Sequence, residues 1–250
     1  MKDKGNNMRD FLVDIVNHTS ALGNISVVKI TGDDQSTVID TMADDKSIVV
    51  KGTFHNANPE FKGVFGMPNL SKLNTILNIP EYKENANIQL MTADRNGETV
   101  PTGIHFENAG GDFRNDYRFM TTEVINERIK SAKFRGANWN VSFEPTMAGI
   151  QRFKFQMQAN SDETVFIAKT ENGDLKFYFG DHSTHAGNFV FQPGVTGTLT
   201  RGWSWPVVQF FSILNLDGDK TVNFSDDGAA MLTVDSGLIK YEYILPAQSK

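Results

Sequence analysis

Apolar residues at Met8, Phe11, Leu12, Ile15 and Val16 fall at i, i+3, i+4, i+7 and i+8. That spacing is the buried stripe of an amphipathic helix, predicted over 8–22 and stopped by Gly23-Asn24. The chain then changes character. Short runs rich in Val, Ile, Phe and Thr (25–31, 37–41, 47–54, 61–65), parted by Gly, Asp, Asn and Pro clusters, predict a meander of strands. A second helix is predicted over 67–78, with Pro68 as a first-turn proline and Leu70, Leu73, Ile76 and Leu77 as its buried side. Strands at 87–91, 103–107 and 116–120 follow. Residues 121–138, mixed in pattern and carrying Arg128, Lys130, Lys133 and Arg135, read as a connector.

The same succession then starts again, and repetition is the most informative feature of the chain. A helix over 146–160 stands where the first one stood. Strands at 164–170 and 175–180 flank Glu171-Asn172-Gly173-Asp174, a hairpin signal. Strands at 189–192 and 197–200 lead to a proline-led helix over 205–216, and strands at 221–224, 229–235 and 237–244 close the chain. Ile76-Leu77-Asn78 and Ile213-Leu214-Asn215 lie 137 positions apart, and Pro68 and Pro206 lie 138 apart. One stretch conflicts with this reading, because Gln151–Gln158 alternates polar and apolar as a strand would. The helix there is predicted from the repeat, with Met147, Ile150, Phe153 and Met157 as its apolar side.

Composition narrows the classes of protein. Of the 250 residues 39% are hydrophobic and 22% charged, enough apolar mass for packed cores and too little charge for a disordered chain. With no cysteine there is no disulfide, thiolate metal site or thiol nucleophile. No apolar run approaches the roughly 18 residues of a membrane span, and the N-terminal residues lack the apolar stretch of a signal peptide, so the expected location is cytoplasmic. A net charge of −6 confines any nucleic-acid contact to a minority face. The four predicted helices carry Arg9, Lys72, Arg152 and Lys154 against Asp10 and Asp14. They therefore sum to +2 and leave −8 to the rest.

Enzyme chemistry finds no motif. Phosphate-binding, dinucleotide and nucleophile-elbow signatures are lacking. Asp181, His182 and His185 offer metal-ligand types without a further ligand nearby in sequence, and the expectation is no metal and no cofactor. His18, His55 and His105 are isolated. Asp217-Gly218-Asp219 and Ser225–Gly228 read as turns. Trp139, Trp203 and Trp205 read as core packing.

The duplicated layout resembles the DNA polymerase sliding clamps, in particular those of tailed bacteriophages and, more distantly, proliferating cell nuclear antigen. The resemblance is sharpest over Phe224–Ala247 (FSDDGAAMLTVDSGLIKYEYILPA) and extends to Gly63–Leu70 (GVFGMPNL) and to the order of elements along nearly the whole chain. It implies an α+β fold of two tandem clamp repeats, 1–120 and 139–250, joined by an interdomain connector at 121–138. Each repeat would pack two helices on antiparallel sheet, with helices lining a ring. It implies a processivity factor rather than an enzyme: a homotrimer around double-stranded DNA, contacted without sequence preference, that tethers a DNA polymerase and is opened by a clamp loader ATPase. Arg9, Lys72, Arg152, Lys154 and Gln209 would face DNA. Neutral polar stripes would accompany them, Ser71, Asn74, Thr75 and Asn78 on one helix and Gln209, Ser212 and Asn215 on another, whereas Asp10 and Asp14 weigh against this on the first. Partner tails would dock on Leu245, Pro246 and Ala247 together with Val124, Ile125 and Ile129. A β-rich phage structural or assembly protein is the other class that so many short strands suit.

Overall fold

Asn7 starts the first helix, α1 (Met8–His18), with a reciprocal cap. Its side chain accepts from the Asp10 amide at 3.0 Å, and Asp10 accepts from the Asn7 amide at 3.1 Å. The helix ends earlier than the sequence predicts. The Thr19 hydroxyl donates to the Ile15 carbonyl at 2.6 Å, and Ser20–Leu22 form a separate 3₁₀ turn. The computed structural model describes residues 7–95, 97–129, 136–183 and 185–248.

Four strands follow α1: β1 (Val27–Gly32), β2 (Thr37–Met42), β3 (Val49–Phe54) and β4 (Gly63–Pro68). Then come α2 (Leu70–Leu77), β5 (Asn87–Arg95), β6 (Glu98–Glu107) and β7 (Arg114–Arg118). The second half repeats that order after α3 (Thr122–Arg128) and β8 (Val141–Phe143). It consists of α4 (Met147–Ala159), β9 (Val165–Glu171), β10 (Asp174–Gly180), β11 (Ala186–Gln192), β12 (Ser204–Pro206), α5 (Val207–Leu214), β13 (Asp219–Phe224), β14 (Ala229–Asp235) and β15 (Ile239–Pro246).

Strand pairing repeats as well as order. The strands between the helices run β4-β1-β2-β3 in one half and β12-β9-β10-β11 in the other. Those after the second helix run β5-β6-β7 and β15-β14-β13, with β8 added beside β13. Two compact units result. Of the described residues, the first comprises those within 7–46, 50–129 and 236–241, and the second those within 47–49, 136–235 and 242–248.

Several predicted boundaries move for local reasons. Pro68 is the last residue of β4, not a first-turn proline, and left-handed Asn69 (φ 50°) caps α2 by accepting from the Lys72 amide at 3.3 Å. Pro206 ends β12 and occupies the cap position of α5, so it corresponds to Asn69, and a constant offset of 137 aligns the two helices. Residues 197–200 form no strand, because they are held by side chains instead: Leu199 N–H bonds the Thr170 hydroxyl at 2.9 Å and Thr200 N–H bonds Asp226. The Asn172-Gly173 turn is a hairpin with both residues at positive φ (53° and 83°), as its dipeptide demands.

The connector segment contains α3, packed onto the first unit. Ile125 and Ile129 lie against Val27, Val64 and Met120, and a Cβ at Gly66 would come within 2.7 Å of Ile125. Removing Ile125 from water contributes about 1.5–3 kcal/mol. Lys130, Lys133 and Arg135 lie outside the described residues.

The second unit is organised around one ring. Phe153 of α4 has the rings of Phe166, Phe177, Phe179, Phe189, Phe191, Phe210 and Phe211 at 5.2–6.4 Å. Trp205 is buried beside Phe224. Among the described helices none is long and apolar enough to cross a membrane.

Candidate nucleic-acid interface

In the first unit α1 and α2 pack together. α2 turns Leu70, Leu73, Ile76 and Leu77 inward and leaves Ser71, Lys72, Asn74, Thr75 and Asn78 exposed, a neutral polar surface with a single cation. Arg9 is differently placed. It is half-buried, and its Nη2 donates at 3.0 Å to the Leu77 carbonyl at the C-terminal end of α2, where unsatisfied carbonyls favour a cation. Its Nε is buried and unpartnered. Arg9 therefore joins two helices rather than projecting from them.

Asp14 does not put negative charge on the exposed stripe of α1. Its side chain is only 10% exposed and accepts from Ser236 Oγ at 3.1 Å and from the Tyr241 hydroxyl at 2.8 Å. His18 completes the group, with Nδ1 2.9 Å from the Asp14 carbonyl and its ring stacked on Tyr241 at 4.7 Å. The acid that remains exposed on α1 is Asp10, in the capping box.

In the second unit the alternating stretch is a helix, and its alternation has a cause. Ile150 and Phe153 are buried, whereas Phe155 is 58% exposed on the opposite side and Met147, the first residue of the helix, is 79% exposed, so Met147 is no core residue. Arg152 leans to one flank, donating from Nη1 to the Val190 carbonyl of β11 at 3.1 Å with its guanidinium over Phe189 at 5.6 Å. Lys154 is exposed on the other flank. On α5 Gln209 and Ser212 are half-buried, Asn215 beyond its end is exposed, and Val208 is 63% exposed. Of the predicted DNA-facing residues, Lys72 and Lys154 are thus the exposed ones not engaged with their own unit's backbone.

The docking residues divide in the same way. Leu245, Ile125 and Ile129 are buried within their units and offer no surface to a tail, because strand pairing of β15 and packing of α3 turn them inward. Pro246 and Val124 are exposed and Ala247 is half-buried. The C-terminal residues are fixed by backbone: Ala247 N–H donates to the Gly228 carbonyl and Gln248 N–H to that of Ser204, each at 2.9 Å.

Beside them lies a carboxylate whose sequence context suggests only an ordinary turn. Asp226 accepts from the Thr200 hydroxyl at 2.6 Å and from the Thr200 and Arg201 amides at 3.0–3.1 Å. Its own carbonyl accepts from Trp203 Nε1 at 2.8 Å. Burial pushes its carboxyl up, yet the Thr200 and Arg201 hydrogen bonds and the Arg201 charge outweigh this and hold it below the usual carboxylate range. Asp181 Oδ1 accepts from the Ser183 amide at 2.7 Å, and among the described residues no three His, Asp or Glu side chains converge as ion ligands.

Fold and surface together define a class: an α+β chain of two like units, each laying two helices over antiparallel strands. Solved proteins share it. The structure of the C-terminal region of FEN-1 bound to A. fulgidus PCNA contains a chain matched with a TM-score of 0.68 and 11% identity, covering 97% of this chain and 96% of that one. PCNA from Thermococcus kodakaraensis matches with a TM-score of 0.65 and 11% identity, over 97% of this chain and 98% of that one. At that identity the likeness is one of fold, and this chain has the PCNA fold over nearly its full length. No family model matches the sequence, and no curated protein matches it.

Proposed function

We propose that this chain is a sliding-clamp subunit, copies of which close into a homotrimeric ring around duplex DNA and tether a DNA polymerase. The observation that carries the reading is the paired duplication, in which two units of identical element and strand order have the PCNA fold and the repeated helices α1, α2, α4 and α5 sum to +2 on a molecule of net −6. Lys72 and Lys154, with the neutral residues around Lys72 and with Gln209, would touch phosphates without reading bases, which suits a ring that must slide. Ring closure by identical copies needs a head-to-tail contact between unlike surfaces. Two features favour one. Among the described residues β7 in the first unit and β11 in the second each lack a strand partner on one side, and Phe155 and Met147 lie exposed on α4, which packs on β11.

Protein tails are the natural partners, since the FEN-1 C-terminal region is bound to PCNA in a structure of this fold. On this chain Pro246, Ala247 and Val124 are the surface-accessible members of the predicted docking set. A clamp loader ATPase would open the ring, in the cytoplasm, or in that of the host if the chain is phage-encoded. The test combines native mass with loading on nicked circular DNA. Three subunits per particle, retention on the circle, loss on linearisation and longer primer-extension products are the expected results. Open-ended polymerisation without DNA retention would instead indicate a structural or assembly protein.

A further inference from the structure

We draw no further inference here: the strongest candidate, the groove of about 590 Å³ between β6, β4 and the start of α3 in the first unit, is lined by Arg95 and Arg118 as well as Glu98 and Glu123, its Arg118 is already paired with Asp116, and nothing in the structure shows what covers it.

Discussion

Asp226 shows how one carboxylate fixes irregular backbone. It holds residues 200 and 201, which no strand secures, and its depressed pKa links that geometry to pH. A carboxyl lowered on folding contributes stability that is present above its unfolded value near 3.9 and is lost as pH falls through its folded value. Asp226→Asn should therefore lower the urea midpoint at neutral pH and flatten its decline below about pH 4. Equal acid slopes in the two proteins would refute the assignment. A second residue-scale expectation concerns cations. Lys72→Gln and Lys154→Gln should each reduce the salt dependence of DNA retention by about one unit of log–log slope for every phosphate that is no longer neutralised. Arg9→Gln should chiefly lower the thermal midpoint, since its hydrogen bond is to Leu77. Neither the Arg9 nor the Arg152 hydrogen bond was legible in sequence, because their acceptors lie 68 and 38 residues away and depend on packing rather than on local pattern.

Helices α1 and α2 were readable from their apolar spacing, α5 from its likeness to the proline-led second helix, and α4 only from the repeat. The strand-like alternation around it arises because Phe155 points outward while Phe153 is the hub of the core. Substitutions at these neighbours should separate cleanly. Phe153→Ala opens the centre of an eight-ring cluster and should cost about 3–5 kcal/mol in urea unfolding. Phe155→Glu should stay within about 0.5 kcal/mol yet shift native mass from trimer to monomer, and a trimer that survives it would remove α4 from the interface between copies. Boundaries were less legible than elements. Pro68 and Pro206 are equally compatible with the end of a strand and the start of a helix, and residues 197–200 have strand-like composition but hydrogen-bond to side chains. Burial of Leu245, Ile125 and Ile129 depends on pairing and packing that residue type does not reveal.

At the scale of the whole molecule the sequence discloses duplication through its 137-residue offset, and the repeated strand order makes it concrete. It does not disclose that the units exchange pieces of chain. Residues 236–241 complete the first unit, where Ser236 and Tyr241 hold Asp14 and Tyr241 covers His18. Synthesis on the ribosome is therefore out of step with assembly. The first half emerges long before the segment that finishes it, so Asp14 gains its Ser236 and Tyr241 hydroxyl donors only when almost the entire polypeptide has left the exit tunnel. A truncated product ending near residue 132 should bind a hydrophobic dye and exchange its α1 amides quickly, and adding the missing hexapeptide as part of a longer C-terminal fragment should quiet both signals.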